Sequence, residues 1–158
     1  MKRLAVSLLV VLLCCGADWS AAAADWSTVT TPAPGPPQSI GFYTAGCLQG
    51  AQPLPLDGPG YEAIRISRNR YWGQPVMLEY IQRLADTMKA AGQAQLYIGD
   101  IGQPRGGPAL SGHASHQVGL DADIKVASWP VTMFVGYGGA FNGSSNAQSF
   151  GAGVRFTW

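Results

Sequence analysis

The stretch SGHASHQVGLDAD, residues 111–123, contains the only two histidines of this 158-residue chain, together with two aspartates. Residues 121–125 are predicted to form a strand. Because side chains alternate along a strand, Asp121 and Asp123 are expected on the same face. His116 and Asp123 are seven residues apart, with Gly119 between them. A tight turn at Gly119 would bring these two side chains together.

This clustering is typical of a metal site, because imidazole nitrogen and carboxylate oxygen are donors that catalytic zinc sites use. His116 and one aspartate could converge on one ion, while the other aspartate orients the histidine from behind. A second interpretation stays open on spacing alone, in which exposed loop histidines lie beside solvated aspartates.

One helix is predicted over residues 75–91, before this stretch. Pro75 suits its first turn, and Gly92 suits its C-terminal stop. Short strands are predicted at residues 61–66 and 95–100. Apolar side chains spaced four, three and four residues apart form a packing face on the helix: Met77, Ile81, Leu84 and Met88.

Residues 25–59 contain seven prolines and few periodic apolar positions. This segment is expected to lie extended over a surface rather than to form a core. The whole chain has 21 glycines and 11 prolines, so long loops are expected elsewhere as well.

The N-terminus has the composition of a secretory signal peptide. Met1-Lys2-Arg3 precedes an apolar run that is shorter than the roughly 20 residues of a membrane span. The sequence Ala22-x-Ala24 offers a cleavage site, so residues 1–24 are predicted to be removed. The mature chain would then be formally neutral, with Cys47 as its single cysteine. Cys47 is either a small buried hydrophobe or half of a disulfide whose other half lies outside this sequence.

Composition excludes two classes of protein. Charged residues make up 12% of the chain, about half of the roughly 25% typical of globular proteins, and the net charge is +1. That balance argues against a nucleic-acid binder, which needs clustered Lys and Arg. A hydrophobic content of 47% argues against a disordered chain, and the length suits one domain.

Residues 131–158 are predicted to form a β-hairpin, because apolar side chains alternate on both sides of a turn at residues 142–146. The alternation and the terminal Trp158 resemble the closing hairpin of an autotransporter-like outer-membrane barrel. One hairpin cannot close a barrel, since the smallest need about eight strands. Membrane association is therefore expected only through this segment. The alternative is a soluble hairpin that completes the sheet.

The chain resembles the penicillin-insensitive murein endopeptidases, which belong to a larger group of zinc peptidases that includes lysostaphin and D-Ala-D-Ala peptidases. The resemblance covers about residues 25–124 and implies an α+β fold with a small antiparallel sheet, one main helix and long Pro- and Gly-rich loops. It is carried, in order and spacing, by residues 39–42, 46–47, 70–73, 80–84, 98–102 and 112–124.

The resemblance also implies a site. It makes His116 and Asp123 core zinc ligands and His113 a further metal-site histidine, with Asp121 as the candidate for orienting a ligand. The family's third core ligand lies in a later His-x-His motif, and no histidine follows His116 here. The cysteine that pairs with Cys47 in the family also lies in a later region. The catalytic residues therefore stay unassigned.

We expect residues 25–125 to be the N-terminal half of such an enzyme, followed by the hairpin at residues 131–158. The resemblance implies a periplasmic zinc hydrolase that cuts the D-alanyl–diaminopimelyl cross-links of peptidoglycan, with activity reduced by the missing ligand. Two alternatives are a non-catalytic remnant that binds peptidoglycan or metal weakly, and a fusion protein associated with the outer membrane. Peptidoglycan cross-link peptides are the expected partners, and the sequence carries no clear signal for an oligomer.

Overall fold

The computed structural model describes residues 26–110, 115–127, 131–142 and 145–156, and for the last two ranges it describes the backbone. The predicted signal peptide at residues 1–24 lies outside the described residues, and so does His113. The described residues contain one 3-10 helix, Ile66–Arg68, and one long α-helix, α1, Pro75–Ala90. Its strands are β1 Gln38–Phe42, β2 Ala45–Gln49, β3 Gln52–Pro53, β4 Asp57–Gly58, β5 Tyr61–Ala63, β6 Trp72–Gly73, β7 Leu96–Ile98, β8 Asp121–Val126, β9 Val131–Asn142 and β10 Ser145–Phe156.

The largest sheet has six strands in the order β10-β9-β8-β7-β5-β4. Two further sheets have two strands each, β1 with β2 and β3 with β6. The expected α+β class is confirmed, with one difference, because β5 and β7 are parallel whereas the other pairs are antiparallel. Parallel neighbours need a long crossover connection, and α1 supplies it between these two strands.

Helix α1 forms where the apolar periodicity predicts it. Pro75 occupies its first turn, and Gly92 follows its end with φ +68°. All four predicted side chains pack into or against the core: Met77, Ile81, Leu84 and Met88. Among the residues that the structure describes, no helix is long and apolar enough to cross a membrane.

The main core lies between α1 and the strands β5, β7 and β8. Ile81 from the helix is fully buried, as are Ile98 and Ile124 from neighbouring strands. Burying one side chain of this size contributes about 1.5–3 kcal/mol. The core therefore fixes one face of β8, which leaves the other face for the residues of the candidate site.

The expectation that residues 25–59 stay outside the core is wrong. Leu54 is 1% exposed and belongs to the main core, and Leu48 is completely buried. Cys47 packs with Ala33 in a second small cluster, which fits its interpretation as a small buried hydrophobe. Prolines interrupt this segment, but the short extended pieces between them still pair and pack. Sequence periodicity does not detect pieces of two to five residues.

The predicted C-terminal hairpin is present. Strands β9 and β10 pair along their full length, from Val131 opposite Phe156 to Asn142 opposite Ser145. Strand β9 also pairs with β8, from Asp121 opposite Gly136 to Lys125 opposite Thr132. The hairpin thus extends the main sheet, as the alternative of a sheet-completing hairpin expects. Trp158 lies outside the described residues, and membrane association through this segment stays a prediction.

Candidate functional site

The chain bends at residues 117–119, between His116 and Asp123, and this bend needs glycine. Gly119 has φ +64°, in the left-handed region. A Cβ at this position would lie 2.7 Å from Leu48 Cδ2 and 3.0 Å from Gly73 Cα. Both the backbone conformation and the packing therefore require glycine at this bend.

His116 has a strained backbone, with φ +69°. Non-glycine residues rarely adopt this conformation, which costs about 1–3 kcal/mol and persists only where the surroundings hold it. Such strain concentrates at functional sites. The conformation of His116 is thus an independent sign that this loop has a role beyond connecting two strands.

The hairpin of β1 and β2 holds the loop in place. Ser39 Oγ donates a hydrogen bond of 2.7 Å to the Val118 carbonyl. The Gln117 side chain bridges to the hairpin, because its Nε2 donates to the Thr44 carbonyl at 2.9 Å and its Oε1 accepts from the Gly46 N–H at 3.1 Å. The segment expected to lie on the surface therefore positions the candidate site.

Asp121 and Asp123 lie on one face of β8, as predicted. Both are partly exposed, whereas Ala122 and Ile124 between and after them are buried. The two carboxylates approach opposite sides of the His116 ring. Asp121 Oδ2 lies 2.7 Å from His116 Nδ1, and Asp123 Oδ1 lies 3.7 Å from His116 Nε2.

The two aspartates therefore have different environments. Asp121 Oδ2 also accepts a hydrogen bond of 3.1 Å from the backbone N–H of His116, so this carboxylate contacts both the backbone and the ring of His116. Its contact with Nδ1 is short, and both its hydrogen-bonding and its charge raise the pKa of the ring. A carboxylate at Nδ1 favours the proton on that nitrogen and leaves Nε2 as a donor of its lone pair.

Burial and charge act in opposite directions on the pKa of His116. Burial lowers the pKa, whereas the contact with Asp121 and the negative charges of Asp121, Asp123 and Asp100 raise it. The net result is a pKa above the ordinary value of 6.5. The carboxylates thus outweigh burial, and the site favours a positive charge.

The pair of His116 Nε2 and Asp123 Oδ1 fits one metal ion. Two ligands at about 2.0–2.2 Å in a tetrahedral site are about 3.4 Å apart, close to the observed 3.7 Å. Asp121 Oδ1 is buried, with no hydrogen-bond partner among the described residues. Within residues 26–110 and 115–127, no group of three or more His, Cys, Asp or Glu side chains is arranged to hold a metal. The described donors fit as a pair, and His113 lies outside them.

A second charged cluster adjoins this pair, and the sequence did not indicate it. Asp100 is 3% exposed, and its Oδ2 lies 3.0 Å from Arg70 Nη1 and 3.1 Å from Arg68 Nη1. The Asp100 carbonyl accepts a hydrogen bond of 3.0 Å from the N–H of Asp123, which ties the cluster to β8. Residues 70–73 and 98–102 carry the family resemblance, but nothing in the spacing pairs Arg70 with Asp100 across 30 positions.

A shallow pocket with room for about one water molecule opens beside His116. Its lining contains Arg70, Gln103, Ser115 and His116. Arg70 of the charged cluster and His116 thus line the same small pocket.

The fold and the site define an α+β protein that presents a histidine–aspartate cluster, with donors of the type found in catalytic zinc sites, on one face of its sheet. A sequence profile described as penicillin-insensitive murein endopeptidase matches residues 39–133, which is more than half of the chain. The chain belongs to this family.

Three bacterial relatives show the extent of the similarity, and each is named penicillin-insensitive murein endopeptidase. The protein of Haemophilus influenzae is 53% identical over 103 residues, which cover 63% of this chain and 36% of the relative. A protein of Klebsiella pneumoniae subsp. pneumoniae is 44% identical over 124 residues, covering 78% of this chain and 44% of the relative. A protein of Escherichia coli O139:H28 is 42% identical with the same coverage. The chain spans less than half the length of these curated relatives.

Proposed function

We propose that this protein is a zinc-dependent peptidoglycan endopeptidase that hydrolyses D-alanyl–diaminopimelyl cross-links. The observation that carries the proposal is the His116–Asp123 pair, 3.7 Å apart between Nε2 and Oδ1, with Asp121 at the opposite nitrogen of the ring. Membership of the murein endopeptidase family and the names of the relatives support the substrate class.

The residues of the proposed site would have different roles. Nε2 of His116 and the carboxylate of Asp123 would hold the ion, and His113 is the expected third donor. Asp121 keeps the His116 ring oriented and its Nδ1 protonated. When bound, zinc supplies a Lewis acid that polarises a carbonyl and lowers the pKa of water.

One observation favours a second candidate function. The described residues bring together two metal donors rather than three, and a two-donor site binds zinc weakly. A protein with such a site would bind peptidoglycan or metal without cleaving the peptide. The same experiment separates the two functions.

The test combines the purified chain, zinc and cross-linked muropeptide dimers, and monomer release is measured by chromatography and mass spectrometry. We expect release by the wild type and none by His116→Ala, because the variant loses one of the two described donors. Asp123→Asn is expected to release monomers at least about 100-fold more slowly than the wild type. Asp86→Asn, which changes an exposed carboxylate on α1, is the matched control and is expected to retain full activity.

Zinc content is measured on the same four proteins. No monomer release above buffer at high enzyme concentration would refute the endopeptidase. If zinc or peptidoglycan still binds in a manner that depends on His116, the binding function would replace it. Equal activity of wild type and His116→Ala would refute the proposed site.

We also propose a periplasmic location, on the basis of the signal-peptide composition of residues 1–24. The mature protein in the periplasmic fraction should begin at Asp25, which N-terminal sequencing checks. Recovery in the outer-membrane pellet that is lost when the chain ends at residue 125 would instead favour anchoring through the hairpin.

A further inference from the structure

The β1–β2 hairpin ends in two exposed aromatic side chains, which we call the aromatic tip. Phe42 is 44% exposed and Tyr43 is 41% exposed. Their ring centroids lie 4.5 Å apart, and the ring planes are tilted by 52°. Two large rings that contact each other and still face solvent form a patch of the kind found at binding surfaces rather than in a core.

Hydrogen bonds fix the aromatic tip next to the candidate site. The Gln117 N–H donates to the Tyr43 carbonyl at 3.3 Å, and Gln117 directly follows His116 in the chain. The side chain of Gln117 also bonds to Thr44 and Gly46, on the other side of the tip. The backbone of the aromatic tip is therefore bonded to the neighbour of a proposed metal ligand.

Close packing of the β1–β2 hairpin adds to this rigidity. A Cβ at Gly46 would collide with Val118 Cγ1 and would lie 2.6 Å from the Phe42 carbonyl oxygen, so the hairpin rests directly on the loop. Ser39 Oγ, further back on β1, donates a hydrogen bond of 2.7 Å to the Val118 carbonyl. The backbone under the aromatic tip is thus preorganised, so little backbone freedom is lost when a ligand binds there.

The segment that carries the aromatic tip has no charged side chain. Residues 26–56, which include both strands of the hairpin, contain no Asp, Glu, Lys, Arg or His. The polar groups of its side chains are hydroxyls and amides, among them the phenol of Tyr43 and the hydroxyl of Thr44. Rings and hydroxyls without charge match a neutral ligand that has flat C–H faces and hydroxyl groups at its rim, which is the chemistry of a sugar ring.

We propose that the aromatic tip is a glycan-binding subsite that stacks on a sugar ring of peptidoglycan beside the peptide to be cut. The proposal rests on the proposed function for the identity of the substrate. In that substrate the cross-link peptide supplies methyl and charged groups, whereas the N-acetylated sugars supply the rings. The electron-rich faces of Phe42 and Tyr43 attract the C–H groups on the face of such a ring. Both are thus substrate-positioning residues that favour cross-links attached to sugar over free peptides.

The first experiment measures sugar binding without any cleavage. The full chain, with zinc present, is titrated with N-acetylchitotetraose, a β-1,4-linked tetramer that has the amino-sugar rings of the glycan and no peptide. NMR follows the backbone amides of the isotope-labelled wild type. The amides of residues 42–44 are expected to shift, whereas that of Leu56, which is also exposed and lies beside β4, is expected to stay unchanged. This mapping needs no variant.

Variants separate ring stacking from general apolar contact. Phe42→Ala/Tyr43→Ala is expected to bind the tetramer at least about ten-fold more weakly, because both rings are lost. Phe42→Leu/Tyr43→Leu keeps apolar volume without flat faces and is expected to lose as much. Phe42→Tyr/Tyr43→Phe keeps both rings and is expected to bind as the wild type does. Leu56→Ala is the matched control with unchanged binding, and melting curves of all variants are recorded alongside.

The second experiment measures the consequence for cleavage. Muropeptide dimers that keep their sugars are compared with the same dimers after an amidase has removed the sugars, and kcat/KM is determined for both. The wild type is expected to favour the sugar-bearing dimer at least about ten-fold. In Phe42→Ala/Tyr43→Ala this ratio is expected to fall to about one, with kcat/KM for the free peptide dimer unchanged.

Three outcomes would overturn the subsite. The first is that the amides of residues 42–44 do not respond to the tetramer, and the second is wild-type affinity in a folded alanine or leucine variant. The third is a change in the sedimentation of the free protein on alanine substitution, which would make the aromatic tip a contact between two copies of the chain.

The two experiments also distinguish the subsite from the proposed function. Cleavage without a preference for the sugar-bearing dimer, together with no binding of the tetramer, would leave the endopeptidase standing and remove the subsite. Sugar binding that depends on the aromatic tip, in a chain that cleaves nothing, would confirm the subsite and remove the hydrolase.

Discussion

Replacing Gly119 by alanine tests whether the turn between His116 and Asp123 is fixed by packing as well as by backbone conformation. The left-handed φ of +64° costs a residue with a Cβ about 1–2 kcal/mol. The new Cβ would also lie 2.7 Å from Leu48 Cδ2 and 3.0 Å from the backbone Cα of Gly73. Forcing a methyl group into a packed site of this kind costs a further ~1–3 kcal/mol. We expect Gly119→Ala to lose about 2–5 kcal/mol in total.

Gly92→Ala is the matched control, because Gly92 has a similar φ of +68° and no atom within 4 Å of the position of a Cβ. It should lose only the conformational part, about 1–2 kcal/mol. Urea denaturation of the metal-free proteins, followed by circular dichroism, measures both losses. The difference of ~1–3 kcal/mol isolates the contact of the turn with Leu48 and Gly73.

Equal losses for the two variants would show that the loop moves away from Leu48 freely, and would refute the reasoning that packing fixes the site. A second measurement follows the consequence for the site. Zinc affinity should fall in Gly119→Ala and stay unchanged in Gly92→Ala, because only the first variant shifts His116 relative to Asp123.

Three further outcomes are expected. Asp100→Asn should cost about 3–5 kcal/mol in urea unfolding, because it leaves the buried guanidinium of Arg70 without its carboxylate. Arg68→Gln, which removes the exposed partner, should cost about 0–1 kcal/mol, and similar losses for both variants would contradict this assignment. Asp121→Asn should lower the pKa of His116, which NMR titration of the ring measures, and an unchanged pKa would exclude the contact with Nδ1. The same variant should bind zinc about 10–100-fold more weakly. The raised pKa of His116 should stabilise the metal-free protein fully below a pH of about 6.5, and this contribution should disappear as the pH rises through the folded-state pKa. Unfolding free energies of wild type and His116→Ala are measured from pH 5.5 to 8.5 to check the sign. The difference in unfolding free energy between the two proteins should decrease as the pH rises.

Local patterns in the sequence predicted the elements that depend on residues close together along the chain. The spacing of Met77 and Ile81 predicts α1, because apolar residues at this spacing lie on one face of a helix and that face packs against the core. The alternation of β8 places Asp121 and Asp123 on one face for the same kind of reason. Gly119 between a histidine and an aspartate predicts a turn because glycine adopts positive φ without steric cost.

Other features depend on contacts between distant residues. The burial of Leu48 and Leu54 was not predicted, because short extended pieces between prolines have no detectable period. The pairing of Arg70 with Asp100 spans 30 positions, and the anchoring of Val118 by Ser39 spans 79. Such pairs form only when the segments that carry them already lie side by side, so no short window of the sequence predicts them.

The sequence by itself determined the family, the main helix and the group of candidate metal donors, because each is written in a short run of residues or in their spacing. Only the tertiary structure decided which nitrogen of His116 each aspartate contacts. Asp121 and Asp123 are chemically identical and lie on one strand face, and they differ because the loop turns the His116 ring so that Nδ1 meets Asp121 and Nε2 lies nearer Asp123. The same folding placed Arg70 near His116, since packing of the sheet brings residues 70, 100 and 116 together from three separate parts of the chain.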